Sequence, residues 1–293
     1  MLKNAGSLLK ETLAAFIRDD ALSRGASMAF YAVTSLAPIL LIVAAIAGLV
    51  FGEDAARNAL AGQFEALMGH QSALLLQGVI ENAGRKSSGV LATIIGVATL
   101  LASASGVFGE MQSALNRIWK VDPRGSTVSR LIRARAASLG LVAALGFLLL
   151  VSLAVSAALA ALGDYVNVYL PFGKLILFAL NAVLSFALIS LLFAAIYKVL
   201  PDTKMEWRDV IIGALATSLL FTIGKTIIGW YLGASAISST YGAAGAFIVV
   251  LLWVYYSSQI FLLGAEFTHV YAKRRGSRKG APARSEAPPR TGR

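Results

Sequence analysis

No cysteine occurs in the 293 residues, and the two histidines, His70 and His269, stand far apart. The first absence excludes disulfides and thiolate metal centres; the second leaves too few ligands for a zinc site, which takes about four. Charge is scarce as well. Asp, Glu, Lys and Arg make up 14% of the chain, against about a quarter in ordinary soluble domains, and none falls between Ala246 and Leu263. With 57% hydrophobic residues and a mean hydropathy of +0.73, this deficit excludes a soluble domain and indicates an integral membrane protein. The GxSxG elbow, the HExxH zinc motif and the GxxxxGK[ST] phosphate loop are also missing. The sequence therefore assigns no catalytic residue, no metal ligand and no cofactor, and the expectation is that the protein is not an enzyme.

What is present is a series of long apolar runs, which predicts an all-α polytopic fold with six transmembrane helices. The first run begins near Met28, behind a charged segment, and is too long for the core of a cleavable signal. It extends to Phe51, about 36 Å as a helix, and carries Pro38, whose missing N–H predicts a kink that the Thr34 and Ser35 hydroxyls can relieve. That kink reads as structural or as a gating hinge. The other spans are expected at about 89–108, 136–162, 175–200, 210–232 and 241–273, the last uncharged from 246 to 263. Small residues four apart, Ala98, Ala102 and Gly106, predict a face packed against a neighbouring helix. Past it the helical period continues through Ile118, with Trp119 as a membrane-border anchor, until Asp122 to Gly125 stop it. In the fifth span Gly229 and Gly233 form a GxxxG packing pair, and a bend near Gly224 is the alternative reading.

The membrane domain is expected to cover 1–272. Met1 to Arg24 is amphipathic, with Leu9, Leu13, Phe16 and Ile17 at helical spacing, and reads either as an interfacial approach helix or as a solvated helix. Residues 53–86 read as a helical hairpin capping the outer face, and 273–293, rich in Arg, Ala and Pro, as a disordered basic tail. Of the 26 lysines and arginines, four lie in the N-terminal segment, six at 109–135, three at 198–209 and eight in the tail. An even number of spans puts all of these on one side, and the excess of positive charge predicts that both termini are cytoplasmic. The same distribution accounts for the formal charge of +11 as a topology determinant with attraction to anionic lipid at the cytoplasmic face. No nucleic-acid partner is expected, since the tail has no aromatic platform.

Several stretches resemble a family of bacterial inner-membrane proteins, the YihY/BrkB family. They are LPDTKMEWRDVIIGALATSLLFTIGK at Leu200 to Lys225, YGAAGAFIVVLLWVYYSSQIFLLGAE at Tyr241 to Glu266, SMAFYAVTSLAPILL at Ser27 to Leu41 and ALNRIWKV at Ala114 to Val121. The resemblance covers nearly the whole chain except the tail. It implies a six-span inner-membrane fold, and it is a guide to location more than to activity. Members of the family have carried a ribonuclease label and have been tied to serum resistance and to envelope lipid transport.

Ionisable groups at membrane depth are costly and usually face a bundle interior or a cavity, so the polar residues of the spans are the candidates. Lys225 falls nearer the outer end of span five, where Asn181 of span four can join it. Glu266 falls near the cytoplasmic end of span six, with Gln259 two turns away on the same face and Glu110 just past span two. A direct bridge between Lys225 and Glu266 is not expected, and Arg24 or Arg117 is the expected partner of Glu266. One reading has the two zones lining a cavity that passes a lipid or amphipathic envelope component. The other makes Lys225 a snorkelling side chain, Glu266 an interfacial anchor and the protein a membrane scaffold.

Overall fold

The computed structural model describes residues 2–34, 106–121, 173–234 and 237–277, with isolated positions between 48 and 78. Pro38, span three, most of span two, the 53–86 hairpin as a unit and residues 278–293 lie outside the described residues. Regular structure among the described residues is entirely helical. We label the helices α1 (Leu2–Arg18), α2 (21–34), α3 (106–118), α4 (Gly173–Val199), α5 (Trp207–Ala234) and α6 (Ile237–Arg274).

Among the described residues, three stretches are long and apolar enough to cross a bilayer: Ala179–Val199, Trp207–Tyr231 and Phe247–Arg274. Helix α6, with 38 residues, is about 57 Å long against about 30 Å of hydrocarbon, so it extends well beyond the membrane core. On α5, Ile211, Leu215, Leu219, Ile223, Ile227 and Trp230 form one exposed apolar stripe, as a face turned to lipid requires.

Helices α5 and α6 pack antiparallel through a reciprocal clasp. Each carries a glycine followed four residues later by a threonine, Gly213 and Thr217 on α5, Gly264 and Thr268 on α6. Thr268 lies over Gly213 and Thr217 over Gly264, so a Cβ at either glycine would collide with the opposing threonine. Each threonine hydroxyl donates to the carbonyl four residues back, Thr217 to Gly213 at 2.7 Å and Thr268 to Gly264 at 2.6 Å. This removes two polar groups from lipid while the backbones approach closely. Higher along the same seam Gly224 lies against Ile260 and Tyr256. Helix α5 is uninterrupted there, and the glycine serves as a close-packing position within it.

Helix α4 closes the other side. Tyr197 is buried, stacks on Phe261 at 5.4 Å and donates its hydroxyl to the Phe261 carbonyl at 2.7 Å. Its oxygen also lies 3.1 Å from Thr217 Oγ1. Phe193 continues the contact with Phe221, ring centroids 5.8 Å apart.

The ends of α1, α3 and α6 meet the α4–α5 loop at one end of the bundle. Asn116 and Asp202 bond reciprocally, Asn116 Nδ2 to the carboxylate and the Asp202 N–H to Asn116 Oδ1, both at 2.8 Å. Asp209, buried in the first turn of α5, accepts from the Ser277 N–H at 3.2 Å and hydroxyl at 2.6 Å. An acid is well placed there, facing the positive end of the helix dipole. Helix α6 runs past 273, where the tail is expected to begin, to Arg274; the Arg275 and Gly276 N–H groups reach back to the Tyr271 carbonyl, and Ser277 is held by Asp209.

Two further expectations are corrected. Helix α3 ends at Ile118, before Asp122, because Lys120 adopts a left-handed conformation (φ 53) and the Val121 N–H reaches back to the Asn116 carbonyl at 2.9 Å. That closure usually takes a glycine. Trp119 is buried, its ring edge-on to His269 at 4.9 Å, and so packs within the protein rather than anchoring at the membrane border.

Candidate functional site

Between α1 and α2 the chain breaks helix at Asp19–Asp20, with Asp20 left-handed (φ 58), a conformation Asp tolerates better than most residues. The Asp20 carboxylate accepts from the Ser23 hydroxyl at 3.0 Å at the head of α2. The corner turns Asp19 inward, where it is 5% exposed. Lys120, at the left-handed end of α3, meets it with Nζ 2.5 Å from Oδ1.

Glu266 comes to the same place from α6. It lies two residues from both Gly264 and Thr268, about 160° round the helix from the α5 seam, and so faces the α1–α2 corner. Its exposure is 0%. Neither of its carboxylate oxygens, nor Asp19 Oδ2, has a hydrogen-bond donor among the described residues. Asp19 is the acid beside Glu266, and Lys120 and Arg18 lie within electrostatic reach. Two ionised carboxylates offer only acceptors, so a bond between them requires a proton held by one of the pair. The arrangement thus presents three buried acceptor oxygens able to receive a proton or the donor group of a ligand.

The other sequence candidates divide. Gln259, two turns before Glu266 on the same face of α6, donates to the Leu22 carbonyl at 3.3 Å and packs on Gly25. Glu110 pairs with Arg24 at 3.3 Å, and Arg24 also reaches Ser113 at 3.4 Å. The three residues thus meet the α1–α2 segment in sequence, with Glu266 at Asp19, Gln259 at Leu22 and Gly25, and Glu110 at Arg24. The expected partner of Glu266 is corrected: Arg24 is engaged by Glu110, Arg117 is exposed, and the group facing Glu266 is an acid.

Lys225 is half-buried and Asn181 exposed, and no bond joins them. The α5–α6 register, pairing 213 with 268 and 217 with 264, sets Lys225 at the level of Tyr256, about 15 Å along the axis from Glu266. Lys225 forms no ion pair among the described residues. Sequence reasoning missed Asp19 and Lys120. Their one local signal is the Asp-Asp step interrupting an amphipathic period, and nothing local links it to a lysine 101 positions on.

A family model described as Virulence factor BrkB matches residues 12–289. A UPF0761 membrane protein of Psychrobacter sp. (strain PRwf-1) is 27% identical over 266 residues, covering 90% of this chain and 48% of that protein. One from Mannheimia succiniciproducens is 30% identical over 188 residues, covering 64% and 62%. The chain thus spans less than two thirds of the length of these two relatives. A Bacillus subtilis protein with ribonuclease-like in its name is 24% identical over 273 residues, covering 92% of this chain and 96% of that one. No solved structure matches the chain.

Proposed function

The chain belongs to the Virulence factor BrkB family and is a multi-pass protein of the bacterial inner membrane, and from this premise we propose that it carries a lipid or other amphipathic envelope component across or within that membrane. The observation supporting this reading is the set of three buried carboxylate oxygens on Glu266 and Asp19 that have no donor among the described residues. A buried charge lacking full compensation costs several kcal/mol, on the order of 3–5 when a partner is missing, and within membrane helices such groups mark pathways and coupling sites. In this reading six helices span the membrane with both termini in the cytoplasm, and the Asp19–Glu266 pair lies at the cytoplasmic end. It receives a proton or a cargo donor there, while Lys225 marks a second polar level nearer the outer leaflet. No nucleotide motor, cofactor or catalytic step is included.

The second reading, a non-transporting scaffold for envelope assembly, is favoured by the glycine–threonine clasp, which closes α5 on α6 with each threonine seated on the opposing glycine. The ribonuclease-like name belongs to the Bacillus subtilis relative, and the sequence offers no motif by which to carry it over. Reconstitution separates carrier from scaffold. Purified protein in liposomes is expected to accelerate transbilayer movement of labelled lipid above protein-free liposomes. No acceleration across phosphatidylethanolamine, phosphatidylglycerol and cardiolipin probes would overturn the carrier reading in favour of the scaffold.

A further inference from the structure

Packing divides α1 into three sides. Thr12 and Ala15, with Asp19 beyond the helix end, are buried toward the bundle. Ser7, Lys10 and Arg18 are exposed on a polar side. Leu9, Leu13 and Ile17, four residues apart on one line, are exposed by 56, 45 and 73%. A helix merely packed on the bundle beneath water needs only a buried side and a polar one, so the apolar flank has no role in such an arrangement. Beyond the Asp20 corner Leu22 and Phe30 are exposed as well, on α2, the helix that enters the apolar run beginning near Met28. Helix α1 has one acid, Glu11, and it is held by Arg274 at 2.5 Å. The other charged side chains of the helix, Lys3, Lys10 and Arg18, are all basic. Lys10 lies two turns before Ile17, at the border between the apolar and polar sides.

We propose that the apolar flank of α1 is a lipid-docking surface, seated in the headgroup region of an anionic leaflet beside the end of the bundle where α1 meets the last turns of α6. Exposed apolar residues thus occur on both sides of the Asp20 corner. The basic border supplies the charge that an anionic leaflet attracts, with the Lys10 stem lying along apolar surface and its ammonium reaching phosphate. The proposal is independent of what the Asp19–Glu266 pair binds.

The natural absence of cysteine makes the test direct. Single substitutions L9C, L13C and I17C on the flank, with S7C and A14C outside it, are spin-labelled in the full chain reconstituted in vesicles of phosphatidylcholine and phosphatidylglycerol. The ratio of collisions with oxygen to collisions with an aqueous nickel chelate is expected to be several-fold higher at 9, 13 and 17 than at 7 and 14. The difference should narrow when phosphatidylglycerol is replaced by phosphatidylcholine. Equal ratios at all five positions would overturn the docking surface. Shielding of 9, 13 and 17 from both reagents would overturn lipid as the occupant in favour of protein. An undiminished difference in phosphatidylcholine alone would overturn the anionic requirement. Should a labelled variant fail to assemble, photocrosslinking the wild-type chain with phosphatidylglycerol bearing a headgroup diazirine makes the same distinction: adducts on 9–18 support the proposal, and adducts confined to α4–α6 overturn it.

Discussion

Helix α6 meets α5 on one side and the α1–α2 corner on the other, and the two contacts are built differently. Toward α5 the hydroxyls of Thr217, Thr268 and Tyr197 are bonded and each glycine admits the opposing threonine. Toward the corner, Glu266 and Asp19 bring two acids together, with three oxygens that have no donor among the described residues. The first contact follows the rules of membrane helix packing. The second departs from them at a cost to stability, and such departures concentrate at functional positions. One helix thus carries a structural face and a face suited to chemistry, separated by half a turn.

Substitutions on the two faces should respond accordingly. Gly264→Leu is expected to be the most damaging, at about 3 kcal/mol or more, because its side chain would enter Thr217 and the Tyr197 hydroxyl; loss of folded protein in detergent, followed by size-exclusion, checks it. Lys120→Met removes the cation beside buried Asp19 and should cost about 1–2 kcal/mol, below the ~3–5 of a fully buried pair because Lys120 is half exposed. Thermal unfolding reads that loss. Tyr197→Phe deletes one buried hydroxyl and should cost about 1 kcal/mol with transport retained. Glu266→Gln keeps the shape and supplies a donor, so stability should hold or rise by about 1 kcal/mol; a large loss would mean that the acid is a structural anchor after all. Lys225→Met should change stability by less than about 0.5 kcal/mol. Any effect on flux would then show that the outer polar level takes part.

The last three helices were legible because their lengths follow from uninterrupted apolar runs, and Asp202, like Pro201, reads as a turn. The α5–α6 clasp was only partly so. Two Gly-x-x-x-Thr steps are visible, at 213–217 and 264–268, but reciprocity depends on register, which no local pattern specifies. Glu266 stood out by cost alone. Its setting did not, because a lone acid in an apolar run is expected to find a base, and the neighbour is Asp19, brought in by a left-handed corner at Asp20 and countered by Lys120 from a third helix. Trp119 misled for a related reason: composition places tryptophan at membrane borders, while its burial here depends on His269, 150 positions later.

The central claim is that Glu266 is retained for transport against the interest of stability. Lipid movement by wild-type and Glu266→Gln proteins, reconstituted at matched folded amounts, tests it most directly. The account predicts wild-type acceleration that is lost in the variant while its melting temperature is equal or higher; a variant that moves lipid at the wild-type rate would contradict it.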